Sequence, residues 1–181
     1  HAFPPPCTRG GAMSGIPQLE TERLILRAPQ IEDLDAMAQF FASPRSHSVG
    51  GPLDRGQVWR ALLRSAGHWQ LRGYGLWHVI EKSSASMCGF CGFLEHIEWP
   101  EAELAWGVHN GYEGKSIAYE AALAARAAGP ALGVPQPISL IDPDNARSRR
   151  LAERLGAWVE TETLLLNEPV VIYRHPKPEG A

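Results

Sequence analysis

Apolar residues alternate with polar ones in some stretches of the chain and recur at helical spacing in others, and glycine or proline marks each changeover. Residues 22–28 alternate as a strand does, and Pro29 ends it. Ile31, Leu34, Met37, Ala38 and Phe41 then repeat at helical spacing, ahead of a polar loop rich in Ser, Gly and Pro. Val58, Leu62, Leu63 and Trp69 predict a second helix, closed by the Gly73-Tyr-Gly75 turn. Three strands follow at 76–81, 87–97 and 102–108, and the tight turns between them predict an antiparallel meander.

An Ala-rich helix is predicted over 115–128, stopped by Gly129-Pro130. A short apolar strand at 138–141, a helix at 145–155 ended by Gly156, and two strand-like runs at 158–166 and 170–174 complete the pattern. This order describes one α/β (α+β) domain: a mixed, mostly antiparallel sheet of about seven strands with helices on both faces. Residues 1–12 show no periodicity and are expected to be a tail foreign to the fold or disordered, so that the domain spans 13–181.

Composition narrows the function. The 181 residues are 44% apolar and 20% charged, with 17 Lys and Arg against 20 Asp and Glu. That balance supports a single core and carries no electrostatic footprint for nucleic acid or an anionic membrane. No apolar run reaches the ~20 residues of a membrane span and no signal peptide is evident, so a cytoplasmic location is expected. Cys7, Cys88 and Cys91 are too few for a disulfide framework. Cys88-Gly-Phe-Cys91 has half of a zinc or redox spacing. None of His47, His68, His78, His96 or His109 completes it with a ligand pair, and residues three apart on a strand face opposite ways. Core thiols and no metal are expected.

The informative joint is Gly111-Tyr-Glu-Gly114-Lys-Ser116, between a strand and a helix, where backbone N–H groups and the helix dipole can hold a phosphate. Gly114-Lys115-Ser116 could end a nucleotide-triphosphate loop, but the first glycine of that motif would fall at position 109, which is His109. A hydrolase of that kind would also place its loop after a first parallel strand. The alternative covers more of the chain. Gly114-Lys-Ser-Ile-Ala118-Tyr-Glu120-Ala121 resembles the acetyl-CoA loop of the GNAT superfamily of N-acetyltransferases. Asp142-Pro-Asp-Asn145-Ala-Arg-Ser148, running on to Leu155-Gly156-Ala157, resembles their later Asn- and Leu-Gly-containing element. Leu19-Glu-Thr-Glu-Arg-Leu-Ile-Leu-Arg27, followed by Asp33, resembles the opening of the ribosomal-protein-acetylating branch.

The resemblance implies acetyl-CoA as cosubstrate, with no metal. It implies that the strand ending at Val108 pairs with the pantetheine arm, and that Glu113, Gly114, Lys115, Ser116, Ile117 and Ala118 hold the pyrophosphate, chiefly through N–H groups. Asn145 would contact the arm and Ser148 would lie near the sulfur; alternatively, Asn145 only caps its helix and Ser148 is solvated. Three positions depart from the family pattern: Ser116 replaces a glycine, Glu113 puts a carboxylate beside the phosphates, and Ala152 replaces a Tyr that protonates the leaving thiolate. Ser148 is then the nearest candidate acid.

An acceptor ammonium of pKa ~10 must lose a proton before it attacks a thioester, so a base is required. Glu103 is the candidate, against the plain alternative of a solvated strand carboxylate. The acceptor is expected to be a small-molecule or peptide amine bound near 45–51 and 167–170. Trp69, Trp77 and Trp106 are either its aromatic wall or core. The chain offers no acidic cluster for a polycationic acceptor, and a homodimer stays open. Glu113 and Ala152 also fit a non-catalytic acyl-CoA-binding sensor.

Overall fold

Eight strands form one sheet in the computed structural model, which describes residues 15–178; the expected tail at 1–12 lies outside them. The strands are β1 (Leu19–Glu20), β2 (Leu24–Arg27), β3 (Leu76–Glu81), β4 (Ser86–Leu94), β5 (Glu103–Val108), β6 (Ile138–Ile141), β7 (Trp158–Leu165) and β8 (Glu168–Arg174). Four α-helices, α1 (Leu34–Phe41), α2 (Arg55–Arg72), α3 (Ile117–Ala128) and α4 (Ala146–Arg154), connect them. The predicted order holds throughout, and the eighth strand is the two-residue β1, too short to show periodicity.

The sheet order is β1-β2-β3-β4-β5-β6-β8-β7, antiparallel everywhere except between β5 and β6. Pleating sorts side chains onto two faces. Trp77, Val79, Cys91, Phe93 and Leu104 pack against Ala121, Ala122 and Ala125 of α3. Ile80 and Met87 meet Met37, Phe40 and Phe41 of α1 and Val58 and Leu62 of α2. Full burial of side chains such as Leu24, Leu26 and Phe93 contributes about 1.5–3 kcal/mol each. Local chemistry sets the helix ends: Asp54 accepts from the Gln57 N–H at the start of α2, and Gly73 closes it in a left-handed conformation.

Cys88 and Cys91 correct the expectation of opposite faces. The β3–β4 register shifts between Val79 and Ile80, with Met87 opposite Ile80 and Gly89 opposite Val79, so Cys88 is an extra residue in β4. Both thiols therefore enter the same apolar cluster, buried and unpaired, and burial pushes the Cys88 thiol up to about 12. Among the described residues no group of His, Cys, Asp and Glu could hold a metal ion, and no helix is long and apolar enough to cross a membrane.

Candidate active site

β5 and β6 pair at a single position, Glu103 opposite Ile138, and then side chains take over the ladder. The Leu140 N–H donates to Glu103 Oε2 at 3.1 Å, and the Ser139 hydroxyl donates to the Leu104 carbonyl at 2.6 Å. Ser139 Oγ also lies 2.9 Å from His175 Nε2. A carbonyl can only accept, so the single Ser139 proton points to Leu104 and His175 must donate from Nε2. Burial pulls the His175 imidazole down to about 4, which leaves it neutral. Past these contacts the strands part.

A cavity of about 460 Å³ runs through the gap from one face of the sheet to the other. Trp106, Ile141, Asn145 and Ser148 line it on the α4 side. Met37, Phe41, Val49, Phe90, Leu94 and Trp99 line it beneath α1 and α2, and Glu103 stands at the junction. Phe90 covers Gly107, where a Cβ would run into its ring. Glu103 is only 9% exposed, and burial raises its carboxyl to about 7 despite the bond from Leu140. The solvated-carboxylate alternative is thereby set aside.

The glycine loop rises beyond the end of β5. Gly111, Gly114 and Ser116 take left-handed φ values of 87°, 72° and 58°. Ser116 holds a conformation that glycine adopts without strain, which gives a physical reason for the family's preference. Among the described residues no acceptor meets the N–H groups from 114 to 118, so the start of α3 presents open donors. Glu113 does not point into them. Its Oε2 accepts from the Gly111 N–H at 2.6 Å, and its Oε1 pairs with Arg45 Nη1 at 2.8 Å. Its own loop amide, the Gly111 amide and the nearby Arg45 hold the carboxyl below its usual range. Arg45 also donates to Val108 O at 3.3 Å and Asn110 Oδ1 at 2.8 Å, tying the loop before α2 to the end of β5.

Asn145 caps α4, its Oδ1 accepting from the Ser148 N–H at 3.2 Å, and the residue also lines the cavity beside Ser148. Ala152 is fully buried beneath Tyr173 in a cluster with Ile141 and Val171, away from the cavity wall. His109 is also buried, its ring stacked 4.9 Å from Phe40, where a triphosphate loop would need glycine. Of the three tryptophans, Trp69 and Trp77 belong to the core and only Trp106 reaches the cavity. The wall takes Ser48, Val49 and Gly50 from the loop at 45–51 but nothing from 167–170. His78, Trp99 and Ser139 join it without any signal in the sequence.

The sequence profile of the acetyltransferase (GNAT) domain matches residues 23–157. The chain belongs to the GNAT acetyltransferase family. An acetyltransferase from Agrobacterium tumefaciens strain C58 is 33% identical, with a TM-score of 0.82 over 93% of this chain and 99% of that one. A GNAT-family acetyltransferase from Bordetella pertussis is 25% identical, with a TM-score of 0.77 over 89% of this chain and 100% of its own. RimL, a ribosomal L7/L12 alpha-N-protein acetyltransferase solved in complex with coenzyme A, shares the fold at 17% identity, with a TM-score of 0.71 over 88% of this chain and 97% of its own. As a GNAT acetyltransferase, the chain has acetyl transfer from acetyl-CoA as its reaction class. The parted strands, the open amides before α3 and the cavity between them are the parts of this molecule that suit such a thioester.

Proposed function

We propose that this acetyltransferase moves an acetyl group from acetyl-CoA to a primary amine, small molecule or peptide, by direct attack with both substrates bound. The observation that carries the reading is the cavity that passes through the sheet between β5 and β6 with Glu103 at its waist. Such a passage lets a cosubstrate enter from the α4 side and an acceptor from the α1–α2 side. The open N–H groups from 114 to 118 receive the pyrophosphate. Asn145 and the backbone end of β5 at Val108 hold the arm.

Acetyl-CoA supplies the activated acyl group. Glu103, whose carboxyl lies at about 7, takes the proton of the incoming ammonium directly or through water. The amine nitrogen then bonds to the carbonyl carbon as the carbon–sulfur bond breaks, its second surplus proton leaves to solvent, and a β5 backbone N–H polarises the carbonyl. Ser148 hydrogen-bonds the departing thiolate or gives it a proton, which solvent restores. No residue becomes acetylated. Cytoplasmic chemistry is consistent with Cys88 and Cys91 being buried free thiols.

Thermal unfolding with each cosubstrate tests this first. A ligand at ~100 times its Kd stabilises by about 2.7 kcal/mol, so acetyl-CoA should raise Tm and ATP with magnesium should not. A screen of amines and peptides for thiol release then identifies the acceptor. Stabilisation by ATP alone would overturn the reading, and tight CoA binding without turnover across the screen would favour an acyl-CoA sensor.

A further inference from the structure

A line of three ionisable groups backs the α1–α2 half of the cavity, and the transfer chemistry above does not use it. Arg27 grips Asp33 with Nη1 to Oδ2 at 2.9 Å and Nη2 to Oδ1 at 2.6 Å, while the Gln30 N–H donates to Oδ2 at 2.9 Å. His78 Nδ1 lies 2.5 Å from the same oxygen. Burial works against the charge on Asp33, yet Arg27 and His78 hold its carboxyl well below the usual carboxylate range. A carboxylate can only accept, so His78 donates from Nδ1 and its Nε2 is left for another partner.

That nitrogen has no hydrogen-bond partner among the described residues. The residue is 2% exposed, and it contributes to the cavity wall beside Phe90, its cross-strand neighbour, and Phe41. The nearby His109 is held down to about 4 by burial and brings no competing charge. A polar nitrogen set among apolar side chains discriminates strongly, because a ligand that cannot hydrogen-bond leaves it unpaired. Ala105, just past the point where β5 leaves β6, lies two strands across and two residues along from His78, about 12 Å away. A small molecule can bridge that span.

Resting on the amine-transfer reading, we propose that His78 is the acceptor-recognition residue of this enzyme. Its Nε2 hydrogen-bonds a hydroxyl at the far end of a small primary amine, whose ring-sized apolar middle packs on Met37, Phe41 and Phe90.

Tyramine and 2-phenylethylamine differ only by the phenolic hydroxyl and serve as probes. Each is titrated calorimetrically into the CoA-loaded protein and assayed for transfer from acetyl-CoA. Tyramine should bind about tenfold or more tightly, with the gap in KM rather than kcat. In His78→Asn, which can keep an N–H toward Asp33 but lacks the second nitrogen, and in His78→Phe, that preference should vanish. Equal affinities in the wild type, no binding of either amine, or a preference surviving in both variants would overturn the proposal. Calorimetry reads recognition without turnover: a His78-dependent preference with no transfer would sustain the recognition and sink the amine-transfer reading.

Discussion

Glu103 and Leu140 face each other where two strands stop pairing, and the carboxylate of one accepts the amide hydrogen of the other at 3.1 Å. A side chain thus stands where a parallel ladder would have placed a backbone carbonyl. The sheet ends its pairing there without leaving the Leu140 amide unsatisfied, and the carboxyl proposed as base is fixed at the opening it helps to create.

Replacing that carboxyl tests both roles. Glu103→Gln keeps an acceptor for Leu140 but no base, so turnover should fall about 100-fold or more with acetyl-CoA affinity little changed. The acidic limb of the wild-type rate profile, expected at about 7, should disappear. Stability should move as well. The folded pKa lies above the ordinary carboxyl value of 4.5, so the protonated group's contribution is full below 4.5 and lost as pH rises through about 7. Urea unfolding at pH 5 and pH 8 should show the wild type losing up to about 3 kcal/mol relative to the variant.

At Gly114 a new Cβ meets open space, but the residue sits at φ +72°. Gly114→Val therefore strains the backbone and sets a branched side chain among the open amides proposed to hold the pyrophosphate. CoA affinity should drop at least tenfold while the far-UV spectrum stays native, and calorimetric titration measures it. Unchanged affinity in the folded variant would remove the loop from the site.

The Arg45–Glu113 pair turns a carboxylate away from the amides proposed to hold the phosphates. Arg45→Ala should release that charge and weaken CoA binding a fewfold, the scale of a partly exposed ion pair. Adding Glu113→Ala should restore affinity. Equal losses in the single and double variants would show that Arg45 acts on the cosubstrate itself.

His175 is depressed to about 4, below the 6.5 of a free imidazole, so its contribution to stability is full above 6.5 and lost as pH falls through 4. His109 shifts the same way and should share the acid sensitivity. His175→Gln, which can still donate to Ser139, should flatten part of the decline between pH 6.5 and 4 while retaining turnover. His175→Leu should lose kcat, because Ser139 then has no donor and the gap between β5 and β6 loses its pin. Chemical denaturation across pH and steady-state rates distinguish the two variants.

Much of the site is legible in the chain because its chemistry is local. The loop from Gly111 to Ser116 and the cap from Asn145 to Ser148 each lie within a few residues, so motif spacing and turn chemistry reveal them. The cysteine pair shows how a single inserted residue defeats the same logic: alternation assigns Cys88 and Cys91 to opposite faces, and the bulge in β4 reunites them.

The order of elements, the glycine loop before α3 and the strand that carries Glu103 could all be drawn from the sequence, since periodicity, caps and glycine positions depend on near neighbours and the resemblance marks the strand. Where β5 and β6 part, and which side chains meet in the cavity, was decided only by the tertiary structure. Ser139 meets Leu104 across 35 positions and His175 across 36, and His78 meets Asp33 across 45. No local pattern records where two strands stop pairing, because that depends on side chains brought together after the sheet has formed.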